Sequence, residues 1–116
     1  MKASMLVLPV VVVACAIVLI LPTHSSAEEA STLFKSKCAV CHGSTGLANT
    51  PMATRQVIPA FNSDRVKKQS PLEIEDFILN GGKEKKSSHA WAHKGMSKED
   101  GTKLAAYVKQ LGNTDK

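Results

Sequence analysis

The sequence shows no strand-like alternation of polar and apolar residues, no internal repeat and no low-complexity stretch. Aromatic residues are scarce at 4%, with one Trp and one Tyr. Charge is modest: 22% of residues are charged, and 15 Lys and Arg stand against 10 Asp and Glu. The basic residues are scattered, which excludes a nucleic-acid-binding arm. Glycine and proline stand at ordinary levels, 7 and 5, so collagen, mucin-like stalks and wholesale disorder are excluded. A length of 116 residues allows one domain and not two.

Apolar residues are plentiful at 43%, but many sit in one block, residues 5–21. Lys2 precedes the block, and the small polar run Thr23-His24-Ser25-Ser26-Ala27 follows it. Ser25 and Ala27 supply the small residues that a signal peptidase reads at −3 and −1. Residues 1–27 are therefore expected to be a signal peptide cut after Ala27. A retained membrane anchor is the alternative, although 17 apolar residues interrupted by Pro9 stand at the bottom of the spanning range. Val12-Val13-Ala14-Cys15 loosely resembles a lipoprotein cleavage box, but the chain stays apolar after Cys15 where a lipidated one turns polar. The remaining domain, 28–116, has 89 residues. A domain of that size buries a modest core and often needs a staple.

That domain holds only two cysteines, in the run Cys38-Ala39-Val40-Cys41-His42. An exported chain could pair them as a disulfide, but the histidine after Cys41 points elsewhere. C-x-x-C-H is the attachment signature of c-type haem. Each thiol can add to one haem vinyl group, and the two-residue spacer suits the vinyl separation when the segment is a tight helical turn. The histidine then lies under the ring and binds iron. From this composition the pattern arises by chance in roughly 0.3% of chains, so a single match is specific. A thioredoxin-like site would need a βαβ context, which is lacking. A zinc site would need two further ligands, which His89 and His93 could supply.

The remainder reads as helices and loops. Residues 29–37 look helical, with Leu33 and Phe34 on the apolar side. Residues 43–69, rich in Gly, Pro, Ser, Thr and Asn, read as a long loop, acceptable if a haem fills the space beneath it. Ser70-Pro71-Leu72-Glu73 is a capping box. The helix it opens carries Ile74, Phe77 and Ile78 on one face, and Gly81-Gly82 stops it. Ser97 can cap a last helix bearing Leu104, Tyr107, Val108 and Leu111. Gly101 within it costs about 1 kcal/mol relative to Ala.

With the haem motif, Phe34 four residues before Cys38, and Leu104-Ala105-Ala106-Tyr107-Val108 in the last helix, the chain resembles a single-haem class I c-type cytochrome. The resemblance implies an all-α fold, three to four helices and long loops wrapped around one covalent haem c, with the aromatics of the first and last helices packed together. Val57-Ile58-Pro59-Ala60-Phe61 resembles the family loop whose proline carbonyl accepts the N–H of the proximal histidine. Pro59 is assigned that role, with Pro51 the alternative; such a bond makes the imidazole a stronger donor.

In this family the sixth iron ligand is commonly a Met a short way before the last helix, in a window that falls here on Ser88-His89-Ala90-Trp91. That window holds no Met, a departure from the pattern. His89 is the expected distal ligand. Met96 is the main alternative, although beside Ser97 it reads as a hydrophobic staple; His93, Met52 and an open iron also remain. A thioether raises the potential, whereas two imidazoles favour Fe(III) and lower it. Trp91 is expected at the haem edge or on a propionate.

No catalytic acid, base or nucleophile constellation is present, so the chain is not read as an enzyme. The expected function is a monomeric periplasmic electron carrier, or one facing the periplasm if its anchor is retained. The alternative is a haem protein with an open or displaceable ligand that binds gases or peroxide. Lys83, Lys85, Lys86, Lys94 and Lys98, with Arg65, Lys67 and Lys68, would form a basic rim for acidic redox partners. Nucleic acid is not an expected partner.

Overall fold

The computed structural model describes residues 25–114. The apolar block, and with it the signal-peptide and anchor expectations for residues 1–24, lies outside the described residues. Among the described residues, six α-helices and one 3-10 turn run in the order α1 (Ser26–Lys37), α2 (Ala39–His42), α3 (Pro51–Gln56), α4 (Asp64–Lys67), α5 (Pro71–Asn80), the 3-10 turn (Trp91–Lys94) and α6 (Lys98–Asn113). No strand occurs among the described residues. None of these helices is long and apolar enough to cross a membrane.

Helix α1 begins before the expected residue 29 because Ser25 caps it, its hydroxyl accepting the Glu28 N–H at 3.2 Å. Glu28 and Glu29 face the positive end of the helix, and Lys35 and Lys37 the negative end. A cut after Ala27 would remove this cap. Helix α5 follows the sequence reading closely. The Ser70 hydroxyl accepts the Glu73 N–H at 3.2 Å, and the Glu73 carboxylate accepts the Ser70 N–H at 2.7 Å. Gly81 closes the helix in the left-handed region at φ 82°. Ser97 caps α6 through the Asp100 N–H at 3.0 Å.

The expected long loop over 43–69 is corrected: it contains α3 and α4. Thr50 caps α3 with Pro51 in its first turn, and Ser63 precedes α4. Both start signals stand in the sequence. The helices they open are only 6 and 4 residues long, too short to show a 3.6-residue period. Such short helices are marginal alone and form here because Ala53 and Val66 are buried.

The core lies where α6 meets α1 and α5. Phe34 and Leu104 are each only 1% exposed. Tyr107 stands edge-on to Phe34 with ring centres 5.5 Å apart, and its hydroxyl lies 3.3 Å from Ser31 Oγ. Phe61 meets the other side of Phe34 at 5.9 Å. Lys103 of α6 bridges to Glu29 at 2.7 Å and to Glu99 at 2.9 Å, which holds its ammonium well above the usual lysine range.

Gly101 acquires a meaning that helix propensity alone does not convey. A Cβ at this position would lie 2.8 Å from side-chain atoms of Leu79. The missing side chain is what lets α5 lie close against α6. Beside this seam, the Thr102 hydroxyl donates to the buried Glu75 carboxylate at 2.9 Å, satisfying a group that is costly to bury alone.

Candidate functional site

A cavity of about 270 Å³ opens between the α1–α2 junction, the loop at 57–61, helix α5 and the segment before the 3-10 turn. Cys38, Cys41 and His42 line one part of its wall, and His89 and Trp91 line another. Phe34, Ile74, Ile78, Leu104 and Val108 supply apolar lining. Lys37, Arg65 and Lys86 also border it.

The Cys38–His42 segment is held by local backbone bonds. The N–H groups of Cys41 and His42 both donate to the Cys38 carbonyl, at 3.1 and 3.0 Å. This makes the tight helical turn expected of the two-residue spacer. The Cys41 carbonyl then accepts the Thr50 hydroxyl at 2.6 Å, and the His42 carbonyl accepts the Ala48 N–H at 2.9 Å. Thr50 is the site residue that sequence reasoning missed. Its hydroxyl also accepts the Ala53 N–H at 3.0 Å, so one side chain starts α3 and ties down the cysteine turn. Its position immediately before Pro51 was the available signal.

Both thiols are free and half-buried. Burial, reinforced by Cys41 and opposed by Lys37, pushes the Cys38 thiol up to about 11. It is therefore a neutral thiol at pH 7. Burial lowers the His42 pKa, favouring the neutral imidazole that metals bind. The His42 ring stacks at 4.9 Å from Phe61, and its Nδ1 is buried with no hydrogen-bond partner.

The hydrogen bond expected between the His42 ring and the Pro59 carbonyl is thus not formed. Pro59 lines the cavity but is itself exposed, and Pro51 stands at the start of α3. Phe61 holds the loop instead: its N–H donates to the Gly46 carbonyl at 2.8 Å and its ring packs on His42.

On the other part of the wall, His89 is half-buried, its ring centre 5.9 Å from that of His42. Phe77 packs against it with ring centres 4.5 Å apart and planes inclined at 54°, and Ser88 Oγ lies 3.3 Å from its Nδ1. Burial first, then the charges of His42, Lys94 and Lys86, push its pKa down to about 4. Met96 does not reach this cavity. It packs against the core and lines a separate small pocket with Leu33 and Trp91; a staple would pair it with the fourth residue of α6, which is Gly101 and has no side chain to meet it. His93 is exposed, and neither it nor Met52 lines the cavity. Trp91 lies under two cations, with Lys94 Nζ 4.3 Å and Lys37 Nζ 5.3 Å from its ring.

The zinc alternative fails on this arrangement. Among the described residues no three His, Cys, Asp or Glu side chains converge as a metal cluster. Two free thiols, an imidazole whose burial favours its neutral form and an apolar lining do fit a covalently held haem. A model of the family described as Cytochrome C oxidase, cbb3-type, subunit III matches residues 25–108. The chain belongs to this family of c-type cytochromes. The match takes in every residue that lines the cavity. No curated protein matches the sequence. Membership implies iron-containing haem c as the cofactor and electron transfer as its use, and the small all-α fold agrees with it.

Proposed function

We propose that this cytochrome is a periplasmic one-electron carrier, with residues 28–116 as its mature domain, a single haem c held covalently and no enzymatic role. One observation carries the reading: Cys38, Cys41 and His42, the three residues of the attachment motif, share the wall of one apolar cavity. Bound there, the haem iron supplies one reversibly exchanged electron.

The protein's own residues do the rest. Cys38 and Cys41 would hold the haem, each thiol adding across one vinyl group with sulfur on one carbon and the thiol proton on the other, a redox-neutral addition. His42 would offer a ring nitrogen to the iron. Phe34, Ile74, Ile78 and Leu104 keep water from the cavity, and so tune the potential through burial. Trp91 and Pro59 add to the lining. Lys37, Arg65 and Lys86 make the mouth positive, although Glu84 offsets Lys86 at 3.1 Å. That surface suits acidic redox proteins met by a monomer.

The test is the double variant Cys38→Ala/Cys41→Ala, expressed in cells competent for haem attachment. Wild type is expected to keep its haem on a denaturing gel, and the variant to lose it entirely. Covalent haem on the variant would sink the proposal. A redox titration of the wild type is expected to follow a single one-electron curve.

A further inference from the structure

We propose that His89 is the second axial ligand of the haem iron, with Phe77 and Ser88 as the residues that position its ring. The inference rests on the haem reading above and names the ligation of that same site.

Three observations carry it. The first is distance. An ion about 2 Å from a nitrogen of each of two imidazoles separates the ring centres by about 6 Å. The His42 and His89 ring centres are 5.9 Å apart across the cavity wall. The second is the absence of a rival at this cavity: Met52, Met96 and His93 do not line it. The third is that His89 is held in place. Its N–H donates to the Lys86 carbonyl at 3.1 Å. The Ser88 hydroxyl sits 3.3 Å from Nδ1, and by accepting the Nδ1 proton it would leave the Nε2 lone pair for a metal. Phe77 supports the ring at 4.5 Å.

Phe77 is in turn seated on Gly82. A Cβ on Gly82 would lie 2.7 Å from Phe77 Cδ2, and its φ of +67° disfavours any other residue. The Gly81-Gly82 pair therefore does two jobs. Gly81 ends α5, and Gly82 clears room for the ring that braces His89.

The experiment uses the wild-type holoprotein with His89→Ala, His89→Met and Ser88→Ala, each read by denaturing-gel haem stain, ferric absorption and electron paramagnetic resonance. Wild type is expected to be low-spin with no far-red sulfur-to-iron charge-transfer band. His89→Ala keeps covalent haem, becomes high-spin and binds added imidazole at least tenfold more tightly. His89→Met gains the sulfur band, which keeps the test decisive if the Ala variant folds poorly. Ser88→Ala shifts the resonance pattern at unchanged haem content, a readout that a merely structural role would not move. A sulfur band or a high-spin spectrum in the wild type overturns the His89 assignment alone. So does a His89→Met spectrum identical to wild type. A wild-type chain with no haem on the denaturing gel overturns both this assignment and the function it rests on.

Discussion

The two parts of the wall that would face iron are built by different means. Cys38, Cys41 and His42 lie within five consecutive residues, on one helical turn fixed by bonds to the Cys38 carbonyl and clamped by Thr50. His89 and Trp91 come from a segment between α5 and α6 where residues 83–88 are all exposed. That segment is placed by packing: Phe77 against His89, Lys37 and Lys94 over Trp91, and α5 against α6 behind them. A donor set fixed by local hydrogen bonds tolerates change elsewhere. One fixed by packing depends on every contact that sets the spacing of the helices.

Four substitutions probe this difference, beginning with the largest effect. Phe61→Ala removes a ring that touches both Phe34 and His42. It is expected to cost about 3–5 kcal/mol by chemical denaturation. A loss of under about 1 kcal/mol would mean that the proximal turn is self-supporting even without its packing partner.

Gly101→Ala places a methyl group against Leu79 and is expected to destabilise by about 1–3 kcal/mol. The gain in helix propensity offsets at most about 1 kcal/mol of that. Adding Leu79→Ala should be strongly non-additive, because the two side chains compete for one space. The sharper expectation concerns ligation: the signature of the sixth ligand changes while covalent haem content does not. An equal effect on both parts of the wall would break the comparison.

Thr50→Val deletes the cap of α3 and the bond to the Cys41 carbonyl. It is expected to cost about 1–2 kcal/mol, read as a shift in urea midpoint. An unchanged midpoint would show that backbone bonds alone hold the cysteine turn.

The smallest effect concerns pH. The Ser70 N–H and hydroxyl hold the Glu73 carboxyl below its ordinary range. Its contribution is therefore present above the unfolded-state carboxylate pKa, and is lost as pH falls through the lowered folded value. Glu73→Gln should flatten the acid side of the stability–pH profile and leave the neutral side nearly unmoved. An unaltered acid limb would show that the capping box adds no pH dependence.

Legibility in the sequence follows the same division. The capping box at Ser70, the stop at Gly81, the cap at Ser97 and the cysteine turn were all readable, because each depends on residues within about four positions of one another. Helices α3 and α4 were missed although Thr50-Pro51 and Ser63-Asp64 announce them, since periodicity needs more residues than either contains. The Pro59 hydrogen bond was expected from resemblance, and Phe61 takes over the support of His42 instead. Gly101 read only as a weak helix position until Leu79 was found against it.

By itself, then, the sequence determined the all-α class, the C-x-x-C-H motif and the tight turn it forms over Cys38–His42, and the lack of a Met where the family pattern expects one. Those features are local, and short-range hydrogen bonding expresses them in place. Only the tertiary structure decided that His89 shares a cavity with His42 while Met96 faces a different pocket. Which side chains meet across 47 residues of chain depends on how α5 and α6 pack, and that is a property of the whole core.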